Sequence, residues 1–198
     1  MSSYHIGDLY TGKLVRLGAV KAEEKDALSR WSHDAEYMRM MNFNVAYPQP
    51  PSFYEEKMKE DHSPNSFYFG VRTLADDKLI GNTGLWCDFT HGDAWFWIGI
   101  GEADSRGKGY GYDATELMLG YAFRELNLYR VTLGVFGYNE RARRTYEKAG
   151  FVHEGTQREV LYREGKRWDL QDMGLLRSEW EARREQAHVV EPERMLSP

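Results

Sequence analysis

The sequence predicts one α/β domain, and three observations carry that prediction. Short runs of alternating or branched apolar residues are interleaved with runs of helical spacing. A glycine-rich turn, SRGKGYGY from Ser105 to Tyr112, joins one such strand directly to one such helix. Neither an internal repeat nor a linker divides the 198 residues, so 1–198 reads as a single domain with a core over about 10–176 and a C-terminal helix and tail over 177–198.

In chain order, Tyr10 to Leu17 alternates as a strand, and Glu23 to His33 has helix-forming composition that ends in a polar Ser-His-Asp. Asn42 to Pro51 is a proline-broken loop. A helix follows from Ser52 to Asp61, where Ser52 and Glu55 have capping-box spacing. Phe67 to Leu74 and Leu79 to Phe89 are strands paired across the turn Ala75 to Lys78, and a turn at His91 to Asp93 leads into a third, Ala94 to Gly101. Glycine thins the end of that strand, which marks a bulge or a backbone approached by something else. Ala114, Leu117, Met118, Tyr121 and Ala122 make Gly109 to Leu126 an amphipathic helix. After the strand Val131 to Phe136, Asn139 caps a short helix with an inward face of Ala142, Thr145, Tyr146 and Ala149, and Gly150 stops it. Val152 to Tyr162 and Lys166 to Leu176 are strands joined at Arg163 to Gly165. The charged helix Arg177 to Ala187 either packs on a partner subunit through Trp180 or stands solvated.

Charge and cysteine content exclude several function classes. With 26 Lys and Arg against 31 Asp and Glu, the net charge of -5 repels nucleic acid and anionic membrane, so any basic patch must be local. Cys87 is the single cysteine and lies in an apolar strand, which leaves no disulfide framework and suits inert burial. No apolar run has the length of a signal-peptide core or a membrane span, and a cytoplasmic protein is expected. The six histidines lack the spacing of a metal motif and no G-x-S-x-G elbow is present, so neither a metal site nor a serine hydrolase is expected.

A strand, a glycine turn carrying cations and a helix start together make an anion site. The free N–H groups and the dipole of the first helical turn favour negative charge, and the missing Cβ atoms let phosphate oxygens reach the backbone. Diphosphate is the natural ligand, with Arg106 and Lys108 adding charge-assisted hydrogen bonds at the rim. The Walker pattern fails at Glu102 and Gly109, and the dinucleotide fingerprint fails at Tyr112.

Arg106-Gly-Lys-Gly-Tyr-Gly111 instead fits an R/Q-x-x-G-x-G/A signature. It is followed by NERARRTYEKAGF from Asn139 and by the closing strand GKRWDLQDMGLL. In these three segments the chain resembles the GNAT acetyltransferase superfamily, and within it the group with ribosomal-protein N-terminal acetyltransferases and spermidine acetyltransferase. The element order matches from Tyr10 to about Leu176. The resemblance implies a GNAT fold, with a mixed, twisted central sheet of about six to seven strands flanked by helices. It implies acetyl-CoA as co-substrate and transfer to a primary amine by direct attack within a ternary complex. The acceptor is a protein N-terminus, a polyamine or another small amine.

By the same resemblance, Gly99, Ile100 and Gly101 hydrogen-bond the pantetheine arm, Arg106, Gly107, Lys108, Gly109, Tyr110 and Gly111 hold the pyrophosphate, and Asn139 reaches the pantetheine. Tyr146 matches the tyrosine that protonates the departing thiolate, although its spacing alone reads as a core tyrosine. A backbone N–H near Ile100 is the candidate oxyanion donor. The glutamate that one branch uses as base is replaced by Gly134. Glu102 is the leading substitute, with His153, Asp88 and Asp169 behind it. In the resembling family the N-terminal helices and loop cover the acceptor pocket. Asp34, Glu36, Glu55 and Glu56 lie there and read first as solvated helix surface, while the aromatic residues around Trp31 and around Trp95 read as core or as contacts of a homodimer. The alternative is a non-catalytic acyl-CoA-binding regulatory module that keeps the fold.

Overall fold

The computed structural model describes residues 8–60 and 63–194. Seven strands form one sheet in the order β1-β2-β3-β4-β5-β7-β6. They are β1 (Val15–Gly18), β2 (Ser66–Thr73), β3 (Leu79–Asp88), β4 (Asp93–Ile100), β5 (Arg130–Phe136), β6 (Val152–Arg163) and β7 (Lys166–Leu176). All neighbours are antiparallel except β4 and β5, whose parallel pairing is linked through helix α4 (Tyr110–Gly120). This mixed sheet is the expected one.

Alternation along the strands sorts side chains onto the two faces. Phe96, Val131, Leu133, Met173 and Leu175 are buried on one face against Ala114, Met118 and Leu119 of α4 and Tyr146 of α5 (Glu140–Lys148). The opposite face carries the N-terminal helices α1 (Lys25–Ser32), α2 (Ala35–Met41) and α3 (Pro51–Glu60), where Leu28, Trp31 and Leu79 form a second cluster.

Several boundaries differ from expectation, each for a long-range or local reason. The first strand starts at Val15 rather than Tyr10, because the buried Asp113 carboxylate takes the backbone N–H groups of Lys13 (3.1 Å), Leu14 (2.7 Å) and Val15 (3.0 Å) away from a ladder. The polar Ser-His-Asp is a helix boundary: Asp34 accepts from Tyr37 N at 3.1 Å and starts α2, an element that composition does not announce. Helix α3 begins with Pro51, so Ser52 lies inside its first turn and is not the cap; the expected end at Asp61 falls outside the described residues. After α4 the chain widens into one π-turn, Tyr121–Glu125, with Leu126 N bonded to Tyr121 O at 3.1 Å.

The last helix, α6 (Arg177–Arg194), docks on its own chain, which corrects both readings made of it. Trp180 is buried against Phe123 with ring centroids 5.4 Å apart. Arg177 donates to Leu128 O (2.8 Å) and Phe123 O (2.7 Å), and Arg183 forks onto the Glu116 carboxylate (2.6 and 2.8 Å). Among the described residues, six α-helices flank seven strands.

Candidate active site

The parallel pair β4 and β5 is joined only from Asp93 to Trp95 and from Arg130 to Thr132. Past that point β5 continues with β7 while β4 continues with β3, so the edge of β4 from Phe96 to Ile100 has no partner strand facing β5. A groove of about 500 Å³ occupies the opening, lined by Ile98, Gly99 and Ile100 on one side and Gly134, Val135 and Phe136 on the other. Backbone polar groups seek partners, and a ligand with amides of its own could supply them at such an edge.

The glycine turn forms one end of the groove. Gly109 is the N-cap of α4 in the left-handed conformation (φ 88°), and no side chain caps the helix, so first-turn N–H groups stay available. Gly107 (φ 76°) has nothing within 4 Å of the place a Cβ would take, and at Gly111 the nearest atom is 3.7 Å away on Ile100. Gly107, Gly109 and Gly111 all line the groove, and the vacant Cβ positions leave a cradle for an anion.

The cations are arranged differently from expectation. Arg106 donates through Nε to Ile100 O (3.0 Å) and through Nη2 to Gly101 O (2.7 Å), pairs with Asp34 Oδ2 at 2.7 Å, and stacks its guanidinium 5.5 Å from the Tyr37 ring centroid. It lines the groove, but its charge is already neutralised and its work is to tie the end of β4 to α2. Lys108 is exposed and does not line the groove, and Tyr110 packs its ring on the core. Positive charge beside the groove comes from α5 instead, through Arg141, Arg144 and Lys148. Arg144 pairs with Glu140 at 3.2 Å and Lys148 sits 4.3 Å from the Tyr112 centroid, while the Arg141 side chain has no partner among the described residues. Their spacing along one helix was visible in NERARRTYEK; which face turns to the groove was not.

The glycines at the end of β4 have packing reasons of their own. A Cβ on Gly99 would meet Met41 Sδ and Tyr37 Oη at 2.7 Å, and one on Gly101 would overlap the Trp31 ring. Gly99 and Ile100 still line the groove, whereas Gly101 is buried beneath Trp31 and does not. Asn139 lines it too; its Oδ1 accepts from Ala142 N at 3.2 Å, which caps α5 and leaves its amide NH₂ without a partner among the described residues.

Tyr146 projects from α5 into the base of the groove, packed edge-on against Phe96 (6.2 Å) and Phe151 (5.9 Å). Burial pushes its pKa up to about 12, so its proton stays on at neutral pH. Its hydroxyl makes no hydrogen bond among the described residues.

None of the carboxylates or histidines expected to act as base lines this groove. Glu102 accepts from Trp31 Nε1 (2.9 Å), Lys78 Nζ (3.2 Å) and Arg30. Burial works to raise its pKa, and these donors outweigh burial and hold it below the usual carboxylate range. Asp88 caps the β3–β4 turn through Thr90 N (2.9 Å), Asp169 accepts from Glu159 N (2.8 Å) at a bulge of β6, and His153 bonds Thr156 at 2.9 Å on the outer edge. Gly134 is also explained by packing, since a Cβ there would press on Trp95 and Leu170 at 3.2–3.3 Å. Among the described residues no group of three His, Cys, Asp or Glu side chains gathers to hold a metal, and no helix is long and apolar enough to cross a membrane.

A second cavity of about 410 Å³ adjoins the groove between α2, the start of α5 and β7, walled by Met40, Tyr138 and Trp168. In comparison with known proteins, the profile of the Acetyltransferase (GNAT) domain matches residues 15–152. The chain belongs to the GNAT acetyltransferase family. YokL, an N-acetyltransferase derived from the SPbeta prophage of Bacillus subtilis, is 27% identical over 173 residues, covering 87% of this chain and 95% of YokL. Spermidine N(1)-acetyltransferase of Vibrio cholerae is 34% identical over 107 residues, 54% of this chain and 61% of that protein. The crystal structure of spermidine N-acetyltransferase from Vibrio cholerae in complex with CoA and spermine superposes with a TM-score of 0.76 at 28% identity, covering 84% of this GNAT chain and 97% of that one.

Proposed function

We propose that this GNAT enzyme acetylates a primary amine directly from acetyl-CoA, with both substrates held together. The observation that carries the reading is the opening between β4 and β5 at the N-terminus of α4. Bound there, acetyl-CoA supplies an acyl group already activated as a thioester. The unpartnered edge of β4 at Ile98 to Ile100 and the free amide of Asn139 are suited to the amides of a pantetheine arm. The first-turn N–H groups of α4, reached across Gly107, Gly109 and Gly111, are suited to a pyrophosphate, with Arg141, Arg144 and Lys148 adding positive charge. A backbone N–H of the β4 edge donates to developing negative charge, and Tyr146 holds a proton at Oη for the departing sulfur.

Direct transfer is favoured over an acyl-enzyme because the one cysteine is unsuited to nucleophilic work. Cys87 is buried in β3, away from the groove, and burial with the nearby Asp93 pushes its pKa up to about 11. The amine approaches from the α2 side, through Tyr37, Met40 and Met41. In place of Glu102, which we assign to holding Trp31, Arg30 and Lys78 together, solvent takes the amine's proton.

The test is thiol release from acetyl-CoA with a panel of polyamines, aminoglycosides, amino acids and short peptides with free N-termini, with product masses measured. Amine-dependent release that adds one acetyl group is expected. Coenzyme A binding without turnover on any amine or on whole ribosomal proteins would overturn the reading in favour of a binding module.

A further inference from the structure

With Glu102, Asp88 and Asp169 occupied elsewhere, acidic side chains at the groove are few. Glu36 on α2 lines both the groove and the adjoining cavity. Glu140 lines the smaller cavity alone and is paired with Arg144 at 3.2 Å. The Glu36 carboxylate is exposed and makes no hydrogen bond or ion pair with the described residues. Its backbone is nonetheless fixed: Asp34 ties the start of α2 to Arg106 at 2.7 Å, Tyr37 and Met41 sit against Gly99, and Tyr138 Oη donates to Arg39 O at 2.6 Å.

Beyond Glu36 the smaller cavity offers the rings of Tyr138 and Trp168, edge to face at 5.4 Å. A carboxylate beside aromatic faces attracts an ammonium group by charge and by the ring quadrupoles. The opposing charges are Arg141, which also lines the groove and belongs there with the cations assigned to phosphate, and Lys166, whose Nζ lies 5.3 Å from the Trp168 ring centroid and leaves the Tyr138 ring and Glu36 to meet the acceptor.

We infer that Glu36 selects the acceptor: it draws a cationic acceptor to the junction of the two cavities and favours amines carrying a second ammonium group over amines with a neutral tail. This rests on the acetyl-transfer reading of the groove. Glu36 acts as a positioning residue, and the thioester chemistry stays with the β4 edge and Tyr146.

The experiment compares 1,5-diaminopentane with pentylamine, which differ by one ammonium group, as acceptors for the wild type, Glu36→Gln, Glu36→Lys and Glu56→Gln. Glu56 is exposed on α3, away from both cavities, and controls for net charge. Glu36→Gln is expected to lower kcat/KM for the diamine about three- to fivefold, through KM, as for an exposed ion pair. Pentylamine turnover and the KM for acetyl-CoA should hold steady, and Glu36→Lys should invert the preference. An unchanged diamine-to-monoamine ratio in Glu36→Gln, or an equal fall in Glu56→Gln, would overturn the inference. Should neither amine be acetylated, the acetyl-transfer reading is what suffers, and calorimetric binding of 1,5-diaminopentane to the coenzyme A-loaded protein then decides. Weaker binding in Glu36→Gln supports the role of Glu36; equal binding in the two proteins, or none in the wild type, removes it.

Discussion

At the scale of single residues, Tyr146 and Gly111 give the sharpest tests. Tyr146 keeps its proton because it is buried, and Phe keeps its packing against Phe96 and Phe151. Tyr146→Phe should therefore lower kcat by about 100-fold, within the range for a lost general acid, with the dissociation constant for coenzyme A unchanged by calorimetry. Equal turnover would return Tyr146 to the core. Gly111 separates ligand approach from folding, because its backbone is ordinary helix and a Cβ has 3.7 Å of clearance. Gly111→Ala should leave the melting temperature unchanged or higher, since alanine is the better helix former by about 1 kcal/mol, while affinity for coenzyme A falls. Gly109→Ala, at φ 88°, would confound the two effects. The cap at Asn139 and the inward face that carries Tyr146 were legible because each follows from local helical spacing. That of Arg106 was not, because its partners Asp34 and Tyr37 belong to a helix far back in the chain.

At the scale of elements, α2 and α6 carry what the sequence left undecided. Helix α2 is too short, at seven residues, to announce itself by periodicity, and it is held by tertiary contacts: its cap Asp34, the Arg106 ion pair, and Tyr37 and Met41 over Gly99. Asp34→Asn keeps a capping side chain and removes the ion pair. It should raise the acceptor KM several-fold with little change in acetyl-CoA KM, and steady-state kinetics with each substrate varied will distinguish this from general unfolding. For α6, the charged composition hid a single buried anchor. Trp180→Ala should cost about 3 kcal/mol and lower the melting temperature by roughly 6–12 °C, measured by thermal denaturation. Trp180→Phe should be milder, because the buried indole Nε1 has no hydrogen-bond partner to lose among the described residues.

At the scale of the whole molecule, a mixed sheet of about six to seven strands was expected from the resemblance, while the strand order and the identity of the parallel pair came from the structure. Six of the seven strands begin and end within a residue of the sequence-based bounds, because alternation and turn residues report strands locally. The choice among carboxylates was not legible, since it depends on which of them the fold ties up. Charge sets the acid limit of stability. Asp34, Glu102 and Glu154 all have pKa values lowered in the fold, the first two against burial by hydrogen bonds and nearby Arg, and Glu154 chiefly by Arg130. A lowered folded pKa gives stability that is complete above the unfolded value, near pH 4, and is lost as pH falls through the folded value. Melting temperatures should thus be nearly flat from pH 7 to 5 with respect to these groups and drop below pH 4. Glu102→Gln should remove part of that drop.

The partial pairing of β4 with β5 also governs mechanics. Three residue pairs join these strands, against eight between β3 and β4 and seven between β5 and β7. The two walls of the groove therefore belong to two stiff plates riveted at one end, and the compliance of the sheet is concentrated at the seam between them. Bending there changes the width of the groove while each plate keeps its own ladder intact.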